Sequence, residues 1–215
     1  KMDQIKDFFY KGEMSASKSL FNRALILQSF FPSFQVHGNS KCEDVILLKQ
    51  ALLNLETGLH SEFNCGSGGT TLRFLLARLS RESGEFVVRG THRLMERPHK
   101  PLYDCLRELG CEIFFENSNE LRLKSQGWNR KTVKLNLDYS SQFLSSLLLS
   151  SWDLPFDFEI HTGPRDSGGS YLQMTVDFLK QMGMKIKEND TTLVISKEQK
   201  PQVNSYEVEP DMSSA

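Results

Sequence analysis

Three stretches of small polar residues, each running straight into an apolar segment, are the places where this chain has chemistry to offer. They are Ser15-Ala16-Ser17-Lys18-Ser19, Gly66-Ser67-Gly68-Gly69-Thr70-Thr71 and Tyr139-Ser140-Ser141-Gln142. Small residues ahead of a helix leave backbone N–H groups unpaired, and the helix dipole adds partial positive charge there. Such a terminus holds phosphate or carboxylate. Cationic side chains stand close by. Lys18 and Arg23 belong to the first opening and Arg73 follows the second; Arg93 and Arg97 lie in Thr91 to Pro98, and Arg165 precedes the loop Asp166 to Tyr171. Arginine grips oxyanions in a bidentate fork, and lysine acts as a point charge. The chemistry implied is capture of one or more oxyanions at a shared site.

Each feature has a plainer reading when taken singly. Lys18 and Arg23 read as surface charges, Ser140-Ser141-Gln142 as a helix cap, and Arg97-Pro98 as a turn. The glycine run 66–69 lacks the Gly-Lys-Ser/Thr ending of a phosphate-binding P-loop and does not fit the dinucleotide fingerprint. Recurrence of the same kind of opening is what favours the functional reading. A fourth opening, Asp211-Met212-Ser213-Ser214-Ala215, is read as the start of a further unit.

Composition excludes little but points one way. A formal charge of −1 gives no reason to expect a nucleic-acid partner. No apolar run reaches the roughly 18–20 residues that cross a bilayer, so a cytoplasmic protein with no membrane association is expected. Cys42, Cys65, Cys105 and Cys111 form no C-x-x-C pair and read as reduced thiols. His37, His60, His92, His99 and His161 show no metal spacing and read as structural or solvated.

The elements that must position these residues alternate between helix and strand. Three-to-four spacing of apolar residues predicts helices over Leu20–Phe30, Val45–Leu55, Thr71–Leu79, Leu102–Leu109, Gln142–Ser150 and Tyr171–Gln181. Pro98 is placed at the first turn of the fourth, and Gly58, Gly110 and Gly183 are read as C-terminal caps. Strands are predicted over Phe34–Gly38, Glu85–Arg89, Cys111–Glu116, Leu121–Lys124, Phe156–His161, Met184–Lys187 and Thr192–Ser196. Landmarks shift together: Ser19 stands as far from Thr71 as Gly58 from Gly110. The intervals Thr71 to Ser141, Ser141 to Ser213 and Gly110 to Gly183 agree at roughly 70 residues, a period that marks repeated supersecondary units. The expected order in each unit is helix, strand, helix, strand, strand. The chain is therefore read as one α/β (α+β) domain over residues 1–210, with repeats at about 15–65, 66–137 and 138–210.

At these residues the chain resembles the 5-enolpyruvylshikimate-3-phosphate synthase family. The resemblance lies in Ser17-Lys18-Ser19-x-x-Asn22-Arg23-Ala24-Leu25, Gly66-x-x-Gly69-Thr70-x-x-Arg73, Arg93-x-x-Glu96-Arg97-Pro98, Ser140-Ser141-Gln142-Phe143-Leu144 and Val208-Glu209-x-Asp211-x-Ser213-Ser214-Ala215. It implies one lobe, the N-terminal one, of a two-lobed inside-out α/β barrel, each lobe built from three βαβαββ-type units. Residues 211–215 would then begin the crossing to a second lobe. The implied activity is transfer of the enolpyruvyl group of phosphoenolpyruvate to shikimate 3-phosphate, in aromatic amino-acid biosynthesis, with neither metal nor organic cofactor. By resemblance Lys18 touches both substrates and is the catalytic candidate. Ser19, Arg23, Ser140, Ser141 and Tyr171 hold shikimate 3-phosphate, Gly69 and Arg97 hold phosphoenolpyruvate, and Gln142 sits between the two.

The chain departs from the family pattern at several points. Ser15-Ala16 stands where Pro-Gly is usual, Gly168 where a serine is usual, and Lys41-Cys42-Glu43-Asp44 keeps part of an acidic pattern. The carboxylates assigned to proton transfer belong to the other lobe, so this chain alone is expected not to turn over. Two alternatives remain open: a stand-alone module that binds a phosphorylated ligand without catalysis, and a lobe of the related UDP-N-acetylglucosamine enolpyruvyl transferase.

Overall fold

The computed structural model describes residues 15–135, 141–163 and 169–210. In chain order the elements are α1 Lys18–Phe30, β1 Gln35–His37, α2 Glu43–Thr57, β2 Glu62–Asn64, α3 Gly69–Leu79, β3 Ser83–Arg89, α4 His92–Met95, α5 Lys100–Glu108, β4 Glu112–Asn117, β5 Glu120–Gln126, β6 Thr132–Lys134, α6 Ser141–Leu149, β7 Phe158–His161, α7 Gly169–Gln181, β8 Ile186–Glu188, β9 Thr192–Ile195 and β10 Ser205–Glu207.

Two four-stranded sheets repeat one plan, with orders β2-β3-β5-β4 and β6-β7-β9-β8. In each, the first two strands are parallel and the last two form an antiparallel hairpin added beside the second. Strand side chains alternate, so one face of each sheet packs inward. Phe86 stands opposite Leu123 and Val88 opposite Leu121 on one inner face; Phe158 stands opposite Ile195 and Ile160 opposite Leu193 on the other. All eight are buried. The outer face of the first sheet carries charge instead, where Arg89 pairs with Glu62 and Glu120, and Arg122 with Glu85 and Glu116.

The inner faces close on helices. Every residue from Thr71 to Leu79 in α3 and from Phe143 to Leu149 in α6 is buried, as is Phe21–Leu27 in α1. A helix buried all round sits inside a core rather than on it. The arrangement is the inside-out one: helices within, sheets without.

The first unit departs from the expected order. Among the described residues no hairpin follows α2; the chain passes directly to β2. The partner of β1 is β10, parallel, with Gln35 opposite Ser205 and His37 opposite Glu207. Thus β10 takes beside β1 the place that β2 takes beside β3 and β6 beside β7. Part of the outer side of α2 is left open, with Ile46 and Leu53 exposed.

Gly58 caps α2 in the left-handed conformation, and Gly110 and Gly183 share a further common geometry. Gly110 and Gly183 have φ of 102° and 93°. Gly183 N–H donates to Lys180 C=O and Met184 N–H to Leu179 C=O, and Gly110 and Cys111 repeat the pattern on Arg107 and Leu106. These are Schellman closures, which need the left-handed conformation glycine adopts at low cost. Pro101, not Pro98, occupies the first turn of α5. Pro98 falls before the helix, in the loop after α4. The strands β2, β6 and β10 and the single turn α4 were not expected. Each has only three or four residues, too few for a period to show.

Candidate functional site

The helix openings gather at one end of the core, and the residues that line them bond to one another across units. At the start of α1, Ser17 N–H donates to Glu209 C=O and Ala16 N–H to Asn39 C=O. Ala16 is buried, and among the described residues it is not one of those with positive φ. Its replacement of the usual glycine therefore strains nothing. Lys18 Nζ lies 3.1 Å from Asp44 Oδ2 at the start of α2. Its hydrogen bond to the Asp44 carboxylate raises the Lys18 pKa, against partial burial.

Asp44 also touches the second opening. Its carbonyl accepts from Thr71 Oγ1 at 3.1 Å. A Cβ on Gly68 would lie 2.7 Å from Asp44 Oδ1 and 2.7 Å from Thr71 Oγ1. Any side chain there would force Asp44 or Thr71 to shift, so glycine suits this close approach of α2 and α3. Gly69 begins α3, and a Cβ on it would meet Arg97 Nη1 at 2.9 Å, Arg73 Nη1 at 3.7 Å and Gln142 Oε1 at 3.8 Å. Four candidates named from three separate stretches of sequence thus share one small volume.

Within that volume Arg73 Nη1 donates to Gln142 Oε1 at 2.5 Å, and Arg73 Nε donates to His99 Nδ1 at 3.3 Å. The Arg73 guanidinium lies 4.9 Å from the Phe143 ring centroid, a cation–π distance. Burial, with repulsion from Arg97 second, lowers its pKa to about 10, which leaves it cationic at neutral pH. A guanidinium only donates, so the Gln142 oxygen must face Arg73. The Gln142 amide NH2 therefore lies on the other branch of the side chain.

Arg23 forms a third cluster. Only 2% of it is exposed. It donates from Nε to Thr175 Oγ1 at 2.9 Å, from Nη1 to Ser19 C=O at 2.6 Å and from Nη2 to Tyr171 C=O at 2.9 Å. Burial lowers its pKa to about 10. Arg23 therefore ties the first turn of α1 to the first turn of α7, while the Tyr171 side chain stays exposed. Ser19 and Ser141 are half-buried at their helix starts. Ser140, Arg165, Gly168 and residues 211–215 lie outside the described residues.

The opposite end of the helices is built differently. Arg78 donates to Ser29 Oγ and C=O near the end of α1, and Arg81 to the Ser150 and Trp152 carbonyls after α6. These cations close helix C-termini and their unpaired carbonyls. Two arginine sets thus sit at opposite poles of the helix layer, one satisfying carbonyls and the other gathered where N–H groups emerge.

Sequence reasoning did not single out Asp44, His99 or Thr175 as parts of this region. Asp44 had a visible signal, an acidic residue in the first turn of a helix. Asn22, inside the most specific stretch, is fully buried with neither side-chain atom bonded. Among the described residues no group of three or more His, Cys, Asp or Glu is placed to hold a metal, and no helix is long and apolar enough to cross a membrane.

Comparison with known proteins agrees on one family. The family model described as EPSP synthase (3-phosphoshikimate 1-carboxyvinyltransferase) matches residues 33–215. The 3-phosphoshikimate 1-carboxyvinyltransferase of Bacteroides fragilis strain YCH46 is 28% identical, over 94% of this chain and 50% of its own length. That of Shewanella pealeana is 30% identical, over 100% of this chain and 57% of its own. Among solved structures, EPSP synthase from Acinetobacter baumannii superposes with a TM-score of 0.72 at 19% identity, over 95% of this chain and 51% of that one. The enolpyruvyl transferase NikO from Streptomyces tendae reaches 0.55 at 12% identity. The chain spans about half the length of the curated relatives it matches. With the motifs, the topology and the family match in agreement, this chain belongs to the EPSP synthase (3-phosphoshikimate 1-carboxyvinyltransferase) family.

Proposed function

We propose that this chain provides the shikimate-3-phosphate-binding half of an enolpyruvyl transferase, in which phosphoenolpyruvate donates its enolpyruvyl group to shikimate 3-phosphate and phosphate is released. The observation that carries this reading is the convergence of Gly69, Arg73, Arg97 and Gln142, with Lys18 joined to the second helix opening through Asp44, beside helix N-termini from three units. Two multiply charged anions need fixed cations and N–H donors that do not reorganise during reaction. The site has both.

In this reading Lys18 stands between the substrates and is the catalytic candidate, with Asp44 setting its direction. Ser19, Ser140, Ser141 and Tyr171 face shikimate 3-phosphate. Arg23 serves that side by holding the carbonyls of Ser19 and Tyr171; a direct contact with ligand requires it to exchange one of those bonds. Gly69 and Arg97 face phosphoenolpyruvate, and Gln142 sits between the two. The proton-transfer carboxylates come from a second lobe, in the same chain or another.

Calorimetric titration of the folded chain with shikimate 3-phosphate tests the proposal. Saturable binding is expected, weakened about tenfold or more by Lys18→Ala, since a charge-assisted contact is worth about 1.5–3 kcal/mol. Absence of saturable binding to the folded chain overturns the reading. Turnover by this chain alone, at a rate near that of a two-lobed enzyme, overturns the need for a second lobe.

A further inference from the structure

Arg73 is fastened at both ends of its guanidinium: Nη1 reaches Gln142, and Nε is tied back to His99. His99 belongs to none of the stretches that carry the family resemblance. It is 1% exposed, and both of its ring nitrogens are engaged. The chemistry of the partners fixes the protonation state. A guanidinium cannot accept, so Nδ1 is the acceptor; the Leu94 carbonyl, 2.8 Å from Nε2, cannot donate, so Nε2 carries the hydrogen.

The two bonds lead to two different parts of the site. Leu94 lies in α4, and Arg97 follows it by three residues, its backbone N–H donating to Leu94 C=O. Arg97 Nη1 is the group that crowds Gly69. One neutral ring therefore joins the buried cation of α3 to the loop that carries Arg97.

We infer that His99 is a positioning residue of this cleft: anchored to Leu94, it accepts from Arg73 Nε and so keeps Nη1 on Gln142. The inference rests on the reading of this cleft as the phosphoenolpyruvate end. The surroundings suit a ring that stays neutral. Arg73 faces it from α3, Arg97 from the loop after α4, and Tyr103 from α5 with ring centroids 5.8 Å apart. Burial first, then Arg73 and Arg97, lower its pKa to about 4. A charged ring here would turn an N–H toward a guanidinium.

Two substitutions separate the roles of the two nitrogens. Asparagine offers an acceptor near the Nδ1 position, and glutamine offers a donor near the Nε2 position. The test compares wild type, His99→Asn and His99→Gln in the 215-residue chain. NMR reads the Arg73 Nε–H resonance and the His99 ring nitrogens, calorimetry reads phosphoenolpyruvate binding, and thermal unfolding checks the fold. Wild type is expected to show unprotonated Nδ1, protonated Nε2 and an Arg73 Nε–H protected from exchange. His99→Asn keeps that protection and an affinity within about twofold, whereas His99→Gln loses the protection and binds about tenfold more weakly, a change of about 1.4 kcal/mol. Retention of both properties in His99→Gln overturns the inference, as does equal loss in both variants. Should wild type bind no phosphoenolpyruvate, the functional reading of the cleft falls and the NMR comparison alone decides whether His99 holds Arg73.

Discussion

At the scale of single residues, the site is a set of cations held in place by uncharged or oppositely charged neighbours. His99 makes this measurable through acid stability. Its folded pKa of about 4 lies below its ordinary value of 6.5, so the folded state binds fewer protons than the unfolded one. The stabilisation linked to neutral His99 is complete above about pH 6.5 and is lost as pH falls toward 4. Relative to His99→Asn, wild type is expected to lose up to about 3 kcal/mol between pH 7 and pH 4 in urea unfolding. Parallel pH profiles for the two proteins rule this out. Lys18 works in the other direction. Asp44→Asn removes the group that raises its pKa, so the Lys18 ammonium is expected to titrate at lower pH in NMR, with unfolding stability changed by no more than about 1 kcal/mol because Lys18 is half-exposed. An unmoved Lys18 titration would mean that the ion pair is absent in solution.

At the scale of elements, the glycines of the second opening separate two kinds of crowding. Gly68→Ala places a methyl against Asp44 and Thr71, both fixed by α2–α3 packing, and is expected to cost about 1–3 kcal/mol of stability. Gly69→Ala meets the far end of an exposed arginine, so the fold is expected to hold while Arg97 moves. Equal thermal shifts for the two variants would contradict this. The central helices give a second contrast. Leu75→Ala in α3 removes a fully buried side chain and is expected to cost about 2–5 kcal/mol. Leu53→Ala on the open side of α2, where half the side chain is exposed, is expected to stay within about 0.5 kcal/mol, and a loss near that of Leu75→Ala would show that α2 is covered in solution. The long helices and the two hairpins were legible in the sequence because each offers several turns or alternations of apolar residues. Glu62–Asn64, Thr132–Lys134 and Ser205–Glu207 were not, because a three-residue strand is defined by its partner rather than by its own pattern. The site followed the same division. Lys18, Gly69, Arg97 and Gln142 lie in the small polar openings and cationic loop that the sequence and its family resemblance single out. His99 was not singled out, because a buried histidine beside an arginine looks in sequence like any other histidine; its meaning lies in Arg73, which only the packing of α3 against the α4 loop brings near.

At the scale of the whole molecule, β10 matters most. Nearly all of the described chain lies between β1 and the strand that pairs with it. Closing so long a loop carries a large entropic cost before the contact repays it, and topologies rich in such contacts form slowly. The opening of α1, with Lys18 on it, is clamped by Asn39 on one side and Glu209 on the other. A chain ended after residue 200 is therefore expected to keep the two four-stranded sheets but to lose amide-exchange protection over Gln35–His37 and at Ser17, measured residue by residue. Unchanged protection there would show that β10 is dispensable. On the ribosome, the same pairing sets an order of events. The first opening to be synthesised is the last to be locked, so the start of α1 waits, unfinished, until the third unit has emerged.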